Sequence, residues 1–75
     1  MKELKVFTMT ACPHCKVLKK YLISHDIDFI EVNTDEDENG QAELIAENIW
    51  SVPTIKYDEK YFVISSIDDF KRIYK

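Results

Sequence analysis

The run Leu4-Lys5-Val6-Phe7-Thr8-Met9 is short, apolar and rich in β-favouring residues, so it reads as a buried strand. Four residues later a helical period begins at Pro13. Cys15, Leu18 and Leu22 fall at i, i+3 and i+7, with Val17 and Tyr21 widening the stripe, which predicts an amphipathic helix from Pro13 to about His25. Pro13 suits the first helical position, where a missing N–H costs nothing. Ile27 to Asn33, with Phe29, Ile30 and Val32, reads as a second strand. Strand, helix, strand in this order implies a parallel pair joined by a right-handed crossover, which restricts what the remaining residues can build.

The acidic run Asp35-Glu36-Asp37-Glu38 leads into a helix whose expected apolar face is Ala42, Leu44, Ile45 and Ile49. Acids at a helix N-terminus favour its dipole, so the run needs no partner. Asn48 is placed to end that helix in the left-handed conformation. Thr54 to Tyr57 and Tyr61 to Ile64, joined through Asp58-Glu59-Lys60, suggest a hairpin with a weakly signalled turn. Ser66-Ile67-Asp68-Asp69 resembles a capping box with Asp in the usual Glu position and opens a helix carrying Ile67, Phe70 and Tyr74. The order βαβαββα gives an α/β domain spanning 1–75, a mixed four-stranded sheet flanked by three helices. The first helix N-terminus lies beside the ends of the parallel strands, where such sheets usually bind ligands.

A chain of 75 residues buries only about 60% of the surface it exposes when unfolded, so its core must be nearly complete. Hydrophobic residues are 45% of the chain and charged residues 32%, a balance suited to a domain that folds alone. The net charge of −4 argues against nucleic acid, which needs a basic face to replace counterions. No run approaches the roughly 20 apolar residues of a membrane span, and MKELKVF lacks the length and cleavage site of an export signal. The expectation is a cytoplasmic monomer that engages neither nucleic acid nor membrane.

Both cysteines lie in Thr10-Ala11-Cys12-Pro13-His14-Cys15-Lys16. A disulfide between them closes a tiny loop and is a poor fold staple, which points to redox chemistry or metal. Structural zinc wants four Cys or His ligands, and beyond the pair only His14 and His25 remain. A strand running into C-x-x-C at a helix start favours the redox reading. Placed there, Cys12 is the N-cap and faces unpaired backbone N–H groups and the positive end of the dipole, both of which favour thiolate over thiol. This selects Cys12 as nucleophile and Cys15, one turn inside, as resolving thiol. The alternative is a non-catalytic module that binds or delivers metal through the same cysteines. His14 either is solvated or sets the redox poise, with Pro13 as its partner in tuning the site. His25 complements the helix dipole, and Lys16, Lys19 and Lys20 form a solvated face.

A further signal is Asn48-Ile49-Trp50-Ser51-Val52-Pro53-Thr54, where Pro53 opens a predicted strand although proline lacks a ladder donor. A cis Val52-Pro53 bond is one arrangement that suits such a position. With CPHC, SVPT and Ile64-Ser65-Ser66-Ile67-Asp68-Asp69 in this order, the whole chain resembles the thioredoxin superfamily, and within it the glutaredoxins and glutaredoxin-like redoxins. The resemblance implies a thioredoxin-like fold and a dithiol oxidoreductase that reduces disulfides of proteins or small molecules. It also implies a cis proline packed against the dithiol, so that Val52 and Pro53 lie beside Cys12 and the Val52 backbone pairs with an extended substrate. Ile67 and Asp68 match positions that hold the γ-glutamyl end of glutathione. Ser65 and Ser66 replace the family's two glycines, and Met9 stands where many glutaredoxins carry a basic residue. These departures tilt the expected electron donor from glutathione toward a thioredoxin-reductase-type flavoprotein. No tightly bound cofactor is implied; glutathione is a candidate co-substrate, and a cluster of iron and sulfur bridged between subunits belongs to the family's repertoire. Trp50 either covers the core edge or meets a partner at the rim of the site.

Overall fold

Alternation along the first strand sorts its side chains into two cores: Leu4 and Val6 join one buried cluster and Phe7 another. The computed structural model describes residues 3–74. Met1, Lys2 and Lys75, which the reading of 1–75 as one domain includes, lie outside the described residues. Among residues 3–74 the order is β1 (Leu4–Thr8), α1 (Pro13–Ser24), β2 (Ile30–Asn33), α2 (Glu38–Ala46), β3 (Thr54–Tyr57), β4 (Lys60–Val63) and α3 (Ile67–Ile73). The strands form one sheet in the order β2-β1-β3-β4, with β1 parallel to β2 and antiparallel to β3. This is the thioredoxin-like arrangement of a mixed four-stranded sheet and three helices.

Helices α1 and α3 cover one face, where Leu18, Leu22 and Phe70 pack on Leu4, Val6, Ile55 and Ile64. On the other face α2 brings Leu44 against Phe7 and Val32. The second contact is close because position 40 is the chain's one glycine: a Cβ there falls 2.2 Å from Val32 Cγ1. α2 therefore meets the sheet along a narrow line through Gly40 and Leu44. The expected apolar face is correct for Leu44 and for Ile49, which packs on the same cluster from beyond the helix, but Ala42 and Ile45 are exposed.

Two helices stop in the same way. In α1 the N–H of Asp26 donates to Ile23 O at 3.1 Å and that of Ile27 to Leu22 O at 2.9 Å, with Asp26 left-handed at φ 58°. In α2 the Asn48 and Ile49 amides reach Ile45 O and Leu44 O, both at 2.9 Å, with Asn48 at φ 60°. Both are Schellman stops without glycine. The first one explains why β2 begins at Ile30 rather than Ile27: the Ile27 amide is spent on ending α1, while Ile27 and Phe29 pack against the core half-buried. The β3–β4 turn is also tighter than expected. Tyr57 pairs with Lys60, leaving Asp58 and Glu59 as a two-residue turn at φ 56° and 65°. That is the geometry that suits the twist of a hairpin, usually built from Asn-Gly.

Candidate active site

The chain leaves β1 at Thr8 and must enter α1 at Pro13, and the four residues between them are held from the β2 side. Asp35 Oδ2 accepts from the Thr10 N–H at 2.9 Å, and Asn33 Nδ2 donates to Thr10 Oγ1 at 3.2 Å. The acidic run thus has structural duties, since Asp37 also caps α2 by accepting from the Gly40 N–H at 3.0 Å. Cys12 then takes an extended backbone, φ −122° and ψ 104°, and serves as N-cap of α1 with Pro13 following.

Cys12 Sγ accepts from the Cys15 N–H at 3.2 Å, one of the amide donors that a helix start leaves unpaired. On its other side the sulfur lies 3.9 Å from Val52 O, to which the thiol donates. The Val52–Pro53 peptide is cis, Pro53 is buried, and Val52 is half-buried. Cys12 is 9% exposed and Cys15 only 1%. Burial, and then the hydrogen bond to Cys12, push the Cys15 thiol up from 9.0 to about 12; the Met9 backbone N–H and the Lys19 ammonium favour its anion but are outweighed. The two sulfurs are thus unequal: one edges into solvent at a helix start, and the other is enclosed and holds its proton.

Two depressions flank this point. A groove of about 180 Å³ runs beside Val52 between Met9, Ile45, Ile49 and Trp50, with Asp35 at its edge. Trp50 is 75% exposed and Met9 44%, so the rim is apolar and open. The opposite depression is small and lies among His14, Val17, Pro53, Ser65, Ser66 and Ile67. The structure thus puts Val52 against Cys12, with Pro13 and His14 next along the chain; Ile67 lines the opposite depression with His14 and Pro53, and Asp68 is exposed in the first turn of α3. The N-cap there is Ser66, but Asp69 reaches past it to the Ser65 N–H at 3.0 Å. Asp69 is also paired with Arg72. His25 Nδ1–H donates to Tyr21 O at 2.9 Å and its ring stacks on that of Tyr21, away from the cysteines in sequence and at the other end of α1. Among the described residues, no three His, Cys, Asp or Glu side chains converge as a metal site would require.

Sequence reasoning missed one group near the site. Lys19, assigned to a solvated face, donates to Glu31 Oε2 at 2.8 Å, and the buried Thr8 hydroxyl donates to the same oxygen at 2.9 Å. The Lys19 hydrogen bond, chiefly, and that of Thr8 hold the Glu31 carboxyl below its ordinary 4.5, although burial opposes them. The signal available was the spacing of Lys19, four residues after Cys15.

The sequence model of the family described as Glutaredoxin matches residues 4–62. A glutaredoxin-like 8.6 kDa protein encoded in the rubredoxin operon of Clostridium pasteurianum is 36% identical over 61 residues, covering 80% of this chain and 81% of that protein. The glutaredoxin-like protein NrdH of Lactococcus lactis is 33% identical over 57 residues, 76% of this chain and 79% of its own. Among solved structures, the NrdH-redoxin of Escherichia coli superposes with a TM-score of 0.83 at 18% identity, covering 97% of this chain and 96% of that one. Among the described residues no helix is long and apolar enough to cross a membrane.

Proposed function

Since the chain belongs to the glutaredoxin family of thiol-disulfide oxidoreductases, we propose that it reduces protein or small-molecule disulfides with Cys12 as nucleophile and Cys15 as resolving thiol. The observation that carries this assignment is the inequality of the sulfurs, with the Cys15 amide 3.2 Å from Cys12 Sγ and Cys15 itself enclosed. Cys12 as thiolate attacks a substrate disulfide, forms a mixed disulfide and expels one substrate thiolate, which takes up a proton. Cys15 loses its proton and attacks Cys12 Sγ; the Cys12–Cys15 bond forms as the bond to substrate breaks, and the second substrate thiol leaves. Two electrons have passed from the dithiol to the substrate. Val52 O and N–H, beside Cys12, offer an extended substrate a strand-like partner, and Ile67 and Asp68 border the opposite depression. His14, exposed next to Cys12, and Pro13, at the first helical position, complete the immediate surroundings.

Two electron donors fit this chemistry: a thioredoxin-reductase-type flavoprotein and glutathione. The apolar rim of Met9 and Trp50, and the side chains of Ser65 and Ser66 where the family pattern has glycines, favour the flavoprotein. So does the character of similar proteins: two of them are NrdH proteins, and the Escherichia coli NrdH-redoxin has a thioredoxin-like activity profile. The expected test result is NADPH consumption when the oxidised protein meets a thioredoxin reductase, and little with glutathione and its reductase. Reduction by glutathione alone would reverse the choice of donor. Cys12→Ser should abolish turnover and Cys15→Ser should accumulate mixed disulfides; turnover by Cys12→Ser would overturn the assignment of roles.

A further inference from the structure

The resolving step poses a problem that the two cysteines do not solve between them. Cys15 is enclosed and holds its proton tightly, yet it must become an anion to attack. Part of what disfavours its anion is Cys12, by hydrogen bond and by charge. Once Cys12 is bonded to substrate it carries no charge, so the groups that remain around Cys15 gain weight.

Those groups can be named element by element. On α1, Lys19 stands one turn beyond Cys15, at a spacing that brings Cβ atoms to about 5–6 Å. The residue after β1, Met9, offers its backbone N–H. From β2, Glu31 faces α1 rather than α2, because its neighbour Val32 points to the other core. The 51–53 segment carries no ionisable side chain. On α3, Asp69 is engaged with Ser65 and Arg72, Lys71 lies over the Tyr21 ring, and Asp68 is exposed. Of the remaining α1 cations, Lys16 and Lys20 are exposed, whereas half-buried Lys19 is the one whose charge acts on the buried thiol; its ammonium is held at 2.8 Å by Glu31, which is itself fixed by the buried hydroxyl of Thr8.

We propose that Lys19 is a positioning residue for the resolving step, its ammonium favouring the sulfur anion at Cys15, and that Glu31, fastened to Thr8, tempers that charge and holds it in place. The pair acts as a set point for the lifetime of the mixed disulfide. Too little positive charge prolongs the mixed disulfide, and too much shortens it. This rests on the reading of Cys15 as the resolving thiol.

The pair makes opposite predictions for its two members. Both variants Lys19→Met and Glu31→Gln lose the ion pair, so a purely structural role moves both the same way. An electrostatic role moves them apart. The experiment uses the full chain, reduced, with a symmetrical nitrobenzoate disulfide whose halves absorb on release: the first equivalent reports attack by Cys12 and the second reports displacement by Cys15. In Lys19→Met the second phase, relative to the first, should slow by about two- to fivefold, as suits a partly exposed charge, and its pH midpoint should rise. In Glu31→Gln, which keeps the acceptor oxygen for Thr8, the second phase should quicken and its midpoint fall. Shifts of the same sign, or none, overturn the inference. Should Lys19→Met fail to fold, Lys19→Gln carries the same expectation. Persistence of the second phase in Cys15→Ser would instead overturn the role of Cys15, and this inference with it.

Discussion

Gly40 shows how a single atom sets the spacing of a layer. It sits in the first turn of α2, and glycine in a helix costs up to about 1 kcal/mol relative to alanine, yet the added methyl of alanine would lie 2.2 Å from Val32 Cγ1. Neither side can yield cheaply, because Val32 is wedged between Phe7 and Leu44. Gly40→Ala should therefore destabilise the protein, by about 1–3 kcal/mol, and Gly40→Ala combined with Val32→Ala should recover part of the loss in urea denaturation. At this scale the sequence was informative about chemistry and poor about contacts. Cys12, Pro13 and Cys15 were legible because a proline and a sulfur at a helix start have local causes. Lys19 and Glu31 were not, since their meeting depends on β2 lying parallel to β1, with Glu31 on the face that α1 covers.

Elements show the same division. Helix α1 was readable from its stripe, and its end at His25 was placed to within a residue. The β2 strand was read three residues too long, because apolar Ile27 and Phe29 look like strand residues but are recruited to a helix stop and to the core beneath α1. The hairpin turn was hard to see for a related reason. Asp58-Glu59 adopts left-handed dihedrals at both positions, where glycine is the usual choice and where a longer side chain costs about 1 kcal/mol or more. Glu59→Gly should thus raise the urea midpoint, by about 1 kcal/mol in stability, without altering the rate of disulfide reduction. A lowered midpoint would mean that Glu59 has contacts worth more than its strain.

For the whole molecule, four ionisable groups, from exposed Glu31 to enclosed Cys15, define a window of stability. Glu31 and Glu43 have carboxyls held below 4.5. For Glu43 burial opposes this, but the Tyr61 hydroxyl and the Lys5 and Lys56 ammoniums outweigh it. Their contribution is present above about pH 4.5 and is lost as pH falls through the lower folded values. Cys15, raised from 9.0 to about 12, and Tyr61, raised from 10.0 to about 12 by burial and by Glu43, behave oppositely. Their contribution is complete below pH 9 and is lost between there and about pH 12. Urea midpoints should accordingly plateau from about pH 5 to 8 and fall on either side. On the alkaline side the dithiol form should begin to fall at lower pH than the disulfide form, in which Cys15 no longer titrates. Coincident curves for the two forms would contradict the place given to Cys15.

The strand order carries a consequence for behaviour in concentrated solution. Among the described residues β1 and β3 are paired on both sides, whereas β2 and β4 each have one strand neighbour and present an open rim of backbone donors and acceptors. Each of these rims is four residues long, and each bears an exposed apolar side chain, Ile30 on one and Val63 on the other. Short strands that carry charged side chains resist zipping onto a neighbouring sheet, and Glu31 and Lys60 supply those charges. The same carboxylate that steadies Lys19 thus also helps to keep one molecule from adding to the edge of the next.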